Sequence, residues 1–455
     1  MKLPAYPRYR PSGVEWFGDV PEHWTPIALR RTSTRYAGGT PDRSNDSYWD
    51  EGTIPWINSG AVNQGLITAP SAFITEEAYR NSSARWVAKD ALVMALAGQG
   101  KTKGMVAQTG IATTCNQSMA AICPTPPTEP RYLYWLLVSQ YEHIRNMAGG
   151  EARDGLNLEI LGSIPCLNVP PDEQRAIAAF LNRETGRVDR LVAMKRDLIE
   201  RLNEKRAALI ARTVTSGLPP EAAHTAGFLV NPPLKPVTLE WIGNIPEHWE
   251  VTKMSWVCVS IRDGTHNPPD RADGVHRLLS VRNVQGGKFA LLSDDRTMTA
   301  EDFAELQRSY TVDEGDIVLA IVGATTGKSA IVGKLENVTV QRSLAILRPN
   351  KAVISSSFLH YVIQSPVVQT EIELTVFKYS AQPGIYLEDI GRLLVVRPPL
   401  PEQAAIAAYL DKETAKLDGL VAKAETAVER LQEYRTSLIT AAVTGKIDVR
   451  KGPAS

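Results

Sequence analysis

The stretch Glu15-Trp16-Phe17-Gly18-Asp19-Val20-Pro21-Glu22-His23-Trp24 returns 225 residues later as Glu240-Trp241-Ile242-Gly243-Asn244-Ile245-Pro246-Glu247-His248-Trp249, with 7 of 10 positions identical. Residues 173–193 return in the same way as residues 402–422, with 13 of 21 positions identical. Two tryptophans and a histidine do not recur in fixed order by chance. Between these blocks the match fades, and residues 92–107 share little with residues 317–332 beyond their apolar pattern. Solenoid repeats run about 20 to 50 residues, so this period marks duplication of a whole two-part module. Each half holds a divergent part followed by a similar one.

The divergent parts are residues 26–167 and 251–397. Short apolar runs such as Ala91-Leu92-Val93-Met94-Ala95-Leu96 and Asp316-Ile317-Val318-Leu319-Ala320-Ile321-Val322 end in glycine-containing turns and are expected as buried strands. Scattered Pro and Gly leave room for helices only around residues 132–144 and 357–364. Two mixed α+β globules follow from this pattern.

The similar parts are helical. From Pro171 and from Pro401 the chain runs more than 40 residues without another Pro, and a helix tolerates Pro in its first turn. Spacer helices are expected within residues 168–218 and 398–449, with a linker and second motif copy at 219–250, the first copy at 1–25 and a tail at 450–455. A 3-4 spacing counted from Ile177 gives 11 positions, of which Ile177, Leu181, Val188, Leu191, Leu198, Leu202 and Leu209 form the apolar seam and Glu184, Lys195, Lys205 and Arg212 interrupt it. The same spacing gives Ile406, Leu410, Leu417, Leu420, Leu431 and Leu438 in the second helix. Two such stripes call for one antiparallel coiled coil with pseudo-two-fold symmetry. The alternative is that each helix packs on its own globule or on a partner protein.

Composition bounds the function. The chain has 455 residues, 43% of them hydrophobic, with 50 basic and 50 acidic residues. There is no global field toward a polyanion, so any such site must be local. Cys115, Cys123, Cys166 and Cys258 include no Cys-x-x-Cys pair, and neither a signal peptide nor an apolar run of about 20 residues is evident. A reduced, cytoplasmic protein with no structural zinc is expected.

Catalytic readings fail on spacing. No Lys has an acidic residue two positions before it, as a Pro-Asp…(Asp/Glu)-x-Lys nuclease requires. Asn267-Pro268-Pro269 is followed by Asp270 and Asn231-Pro232-Pro233 by Leu234, so neither has the aromatic ring that stacks on a flipped base. Gly323-Ala324-Thr325-Thr326-Gly327-Lys328-Ser329 places three residues between its glycines where a phosphate-binding loop needs four, and reads as a strand-connecting turn. The chain reads as non-catalytic.

The ordered set of motifs resembles the specificity (S) subunit of a type I restriction-modification enzyme. The set comprises both copies of the Glu-Trp motif, Gly38-Gly39-Thr40-Pro41, Tyr48-Trp49, Ile54-Pro55-Trp56 and Asp263-Gly264-Thr265-His266. Pro170-Pro171-Asp172-Glu173-Gln174, Pro399-Leu400-Pro401-Glu402-Gln403 and residues 441–449 complete it. The resemblance implies two target-recognition domains, each reading half of an asymmetric bipartite site in double-stranded DNA. It implies that the helices set the spacer and dock two modification (methyltransferase) subunits, with restriction subunits also present. S-adenosylmethionine would be held by the modification subunits, and ATP and Mg by the restriction subunits. Alternatives are a duplicated protein-binding scaffold and an orphan specificity subunit serving methylation only.

Candidate DNA contacts are loop residues. Lys101, Thr102 and Lys103, with Lys328 at the position aligned with Lys103, suit phosphate. Gln99, Asn116, Gln117 and Arg342 offer donors for base edges. Arg262, Asp263, Thr265 and His266 join them on the resemblance. Residues 26–165 hold 12 basic and 12 acidic residues and residues 251–397 hold 16 of each, so modest affinity is expected from this chain alone. Glu15, Trp16, His23 and Trp24, with their counterparts, read as locks between globule and helices or partner.

Overall fold

The computed structural model describes residues 4–98, 101–147, 155–237, 243–377 and 384–450. Gln99 and part of the second motif copy, residues 240–242, lie outside them. The chain forms two compact units, Met1–Arg196 with Thr426–Ser455, and Asp197–Glu425.

In the first unit a five-stranded sheet runs in the order Ser33–Ala37, Met119–Pro124, Leu92–Ala95, Val106–Thr109, Leu66–Ile67. A four-stranded sheet runs Ala72–Ile74, Ile54–Ile57, Thr113–Cys115, Trp86–Val87. The strand Leu92–Ala95 is buried on both faces, which is why its sequence is a continuous apolar run rather than an alternating one. Leu92 and Met94 join a cluster with Tyr132 and Trp135, whereas Val93 and Ala95 join one with Ile57, Val62 and Cys115.

The second unit repeats this arrangement with different side chains. Its six-stranded sheet runs Cys258–Asp263, Leu344–Pro349, Ile317–Ala320, Ser329–Ile331, Lys288–Phe289, Val284–Gln285, and a three-stranded sheet runs Arg296–Met298, His276–Leu279, Val338–Val340. Ile317 and Leu319 face one cluster, Val318 and Ala320 the other.

The helices Pro130–Ser139, Tyr141–Asn146 and Ser356–Gln364 stand where helices are expected. Two further helices, Ala300–Ser309 and Pro366–Phe377, were not anticipated. Thr299 caps the first by accepting from the Asp302 amide, and the second opens on Pro366, the position a helix start tolerates.

The long helices are Pro171–Ser216 and Leu400–Val443. In the first unit Ile177 and Leu181 share a core with Leu438, Ile439, Ala442 and Val443. In the second, Ile210 and Val214 share one with Ile406 and Leu410. Numbers rise along one helix as they fall along the other, so the pair is antiparallel. Each helix also packs on its globule, since Tyr132 and Trp135 lie in the first of these cores and Phe358 and Tyr361 in the second. No helix among the described residues is long and apolar enough to cross a membrane.

The buried row corrects the seam. It passes through Ile177, Leu181, Thr185, Val188 and Val192 on the first helix and Ile406, Leu410, Thr414 and Leu417 on the second. Leu191, Leu198 and Leu420 are exposed at 39%, 41% and 49%, while Leu202, Leu209 and Leu431 are half-buried. Two consecutive four-residue steps at the start of each helix shift the stripe off a strict heptad, toward the period of about 3.6 of a straight helix. Thr185 and Thr414 sit in the row because each hydroxyl bonds its own backbone, to the Leu181 and Leu410 carbonyls at 2.6 and 2.7 Å.

Candidate nucleic-acid interface

Each globule is fixed to a helix by one carboxylate. Glu173, buried at the start of the first long helix, accepts from Trp24 Nε1 (3.0 Å) and Tyr6 Oη (3.0 Å), lies 2.8 Å from His23 Nε2, and pairs with Arg450 Nη1 at 2.9 Å. Glu402 repeats the design with Trp249 Nε1 (3.0 Å) and His248 Nε2 (2.9 Å). Burial and the adjacent carboxylate push the Tyr6 hydroxyl far above its ordinary range. The neighbouring glutamines hold the globule's helix: Gln174 Oε1 accepts the Glu129 amide (2.7 Å) and Gln403 Oε1 accepts the Ser355 amide (2.8 Å). The repeated Glu-Gln and His-Trp residues therefore meet in space, and they form a frame rather than a ligand site.

On that frame each globule carries one corner. In the first unit the Gly38 amide donates to Met119 O (3.0 Å) and the Gly39 amide to Cys115 O (2.8 Å), where the strand Ser33–Ala37 ends. In the second the same pair of bonds runs from Gly264 to Leu344 O (3.2 Å) and from Thr265 to Val340 O (3.0 Å). A Cβ on Gly38 would stand 2.2 Å from Cys115 O and one on Gly264 2.1 Å from Val340 O, so both positions require glycine. The side chains next to these glycines differ. Thr40 Oγ1 donates to Gln117 Oε1, whereas His266 Nε2 lies 2.6 Å from Asp263 Oδ2 and the Arg342 amide donates to Thr265 O (3.0 Å).

The second corner opens onto a cleft of about 630 Å³ lined by Arg262, Asp263, Thr265, His266 and Tyr310. Tyr310 Oη takes the Thr265 amide (3.0 Å) and Thr339 Oγ1 (3.0 Å) and donates to Val340 O (2.6 Å), so it ties three segments together. Burial raises its pKa. Nothing in the sequence singles out this tyrosine, because its partners, two backbone atoms and the Thr339 hydroxyl, lie far away along the chain. In the first unit Trp56 has the matching task, donating from Nε1 to Gly39 O at 3.1 Å.

The structure gathers Gln117 at the first corner and Arg262, Asp263, Thr265, His266 and Arg342 at the second. Asn116 stands beside Gln117 and is half-buried, with its Oδ1 enclosed and without a hydrogen-bond partner among the described residues. Lys101 is exposed, Thr102 half-buried and Lys103 only 6% exposed, so the three do not form a solvated basic tip. Lys328 is exposed on the hairpin turn between Ile317–Ala320 and Ser329–Ile331. The Ala320 amide donates to Lys328 O as the Ala95 amide does to Met105 O, so Lys328 corresponds to Met105 and not to Lys103; the loop before it is shorter. Gln99 lies outside the described residues.

The model of the type I restriction modification DNA specificity domain matches residues 24–204 and 246–430. The chain belongs to that family. Among the relatives of this specificity chain, the EcoBI type I restriction enzyme specificity subunit of Escherichia coli is 28% identical over 286 residues, 62% of this chain and 58% of that protein. The MjaVIII specificity subunit of Methanocaldococcus jannaschii is 23% identical over 325 residues, 70% of each. A solved structure concerned with complex assembly and conformational transition of the type I R-M system superimposes with a TM-score of 0.68 at 16% identity, covering 93% of this chain and 98% of that one. The two matched segments of the specificity family each contain one framed corner.

Proposed function

We propose that the chain is the DNA-reading specificity subunit of a type I restriction-modification system, each globule reading one block of an asymmetric bipartite site in double-stranded DNA. The observation that carries this reading is the duplicated corner: one backbone geometry with different polar side chains, Thr40 and Gln117 against His266 and Arg342. Two copies of one reader would demand a palindrome; two readers on one frame specify different blocks. Side chains of these types pair with base edges in the major groove, each good pair contributing roughly 1–3 kcal/mol of discrimination.

In this reading the long helices set the spacer, and the repeated helix surfaces dock two modification subunits, with restriction subunits joining them in the cytoplasm. The chain itself catalyses nothing: methylation draws on S-adenosylmethionine in the modification subunits, and cleavage on ATP and Mg in the restriction subunits. Balanced charge in both globules fits an assembly in which partners neutralise much of the phosphate backbone.

The test is single-molecule methylome sequencing of a host carrying the chain with its cognate modification subunit against a host lacking the chain. A new methylated motif of two blocks separated by unspecified bases supports the reading. An assembled complex that adds no motif overturns it in favour of a scaffold.

A further inference from the structure

Beside the first corner lies a feature without a counterpart among the described residues of the second globule. Arg43 follows Gly39-Thr40-Pro41-Asp42, and its guanidinium lies 5.4 Å from the centre of the Trp56 ring and 5.7 Å from that of Trp49. The two indoles meet edge to face at 5.1 Å and 87°. Both also staple the loop that carries Arg43, through Trp56 Nε1 to Gly39 O (3.1 Å) and Trp49 Nε1 to Asp42 O (3.0 Å). The carboxylate of the preceding residue, Asp42, is occupied by Ser44, accepting from its amide at 2.9 Å and its hydroxyl at 2.7 Å. Among the described residues Arg43 forms no ion pair, and it is exposed.

A long flexible side chain thus lies over two indoles, three residues along the chain from Thr40, whose hydroxyl meets Gln117. A guanidinium kept over aromatic rings loses less freedom when its donor fork is engaged, which matters for a two-point contact with a base and little for a point contact with phosphate. The second globule is built otherwise. Trp56 pairs with Thr114 in the parallel register that Leu278 has with Thr339, so buried Leu278 stands where Trp56 does and brings no indole N–H.

We infer that Arg43 is a specificity-determining residue of the first globule, donating both arms of its fork to the O6 and N7 edge of one guanine in that globule's block. This rests on the DNA-reading function proposed above. The test uses the full chain assembled with its cognate modification subunit and compares methylated motifs for wild type, Arg43→Ala and Arg43→Lys. Both variants should relax one G·C position of one block, by about tenfold or more, and leave the other block unchanged; that intact block is the internal evidence of folding and assembly. Lysine keeps the charge but not the fork, so Arg43→Lys must not restore the preference. The inference fails if Arg43→Ala leaves both blocks as they were. It also fails if Arg43→Ala lowers methylation at all sites alike and Arg43→Lys rescues it, the signature of a phosphate contact. Absence of any bipartite motif in the wild type would instead remove the underlying function.

Discussion

Arg435 Nε lies 2.9 Å from Asp189 Oδ1, and the pair recurs with the helices exchanged, Arg206 Nε standing 3.1 Å from Asp418 Oδ1. Each long helix supplies the acid to one pair and the base to the other. That reciprocity is what a self-complementary interface requires. It is also the most local evidence that duplication produced the helix pairing.

These pairs are partly exposed, so they set register more than stability. A double-mutant cycle on Asp189→Ala and Arg435→Ala, read by urea unfolding, should give a coupling of no more than about 1 kcal/mol. Arg435→Ala alone should cost more than Asp189→Ala, because the guanidinium also lies 5.7 Å from the centre of the Trp135 ring. Equal costs would show that the stacking contributes nothing.

Glu173 and Glu402 differ in their number of partners. Glu173→Gln turns one accepting oxygen into a donor facing Trp24, Tyr6, His23 or Arg450, and should destabilise the chain by about 3 kcal/mol. Glu402→Gln, which among the described residues faces only Trp249 and His248, should cost less. The unfolding midpoints of the two variants test the ranking, and the reverse order would contradict it.

Much of this frame was legible in the sequence. The recurrence of His and Trp at matched spacing picked out His23, Trp24, His248 and Trp249 but not their partners Glu173 and Glu402, and Glu15, read as a lock, is exposed; the apolar runs located the doubly covered strands. The heptad seam was misplaced because Leu191 and Leu198 are as apolar as Val188 and Val192, and only packing shows that Thr185 fills the row. The corner was visible in its motif but not in its partners. Gly38 meets Cys115 and Gly264 meets Val340 through backbone atoms, whose pairing no side-chain pattern records. Lys103 looked like a phosphate ligand because burial of a lysine cannot be read from its neighbours.

Burial pushes the His360 pKa down to about 4, with Arg206 adding to the effect and Asp411 opposing it. The unfolded chain takes up this proton near the ordinary histidine value of about 6.5 whereas the folded chain refuses it, so folding is penalised as pH falls. The contribution is complete above pH 6.5 and is lost between about 6.5 and 4, amounting to at most about 3 kcal/mol. His360→Gln should flatten the decline in urea midpoint across this window. A variant that follows the wild-type slope would assign the decline to other groups.

The corners should act one block at a time. Gln117→Ala should relax only the block read by the first globule, and His266→Ala or Arg342→Ala only the other, each by roughly 1–3 kcal/mol of discrimination. Sequence selection from random DNA pools by the assembled complex measures this. A substitution that relaxes both blocks would place its residue in the frame rather than in readout.

The central claim, two independent readers on one repeated frame, is tested most directly by exchanging a reader. Residues 26–167 would be replaced by the matching segment of a relative, with both long helices kept, and the methylated motif sequenced with the same modification subunit. The account predicts a motif in which one block changes while the other block and the spacing between them stay the same. A motif that changes in both blocks, or in spacing, would contradict it.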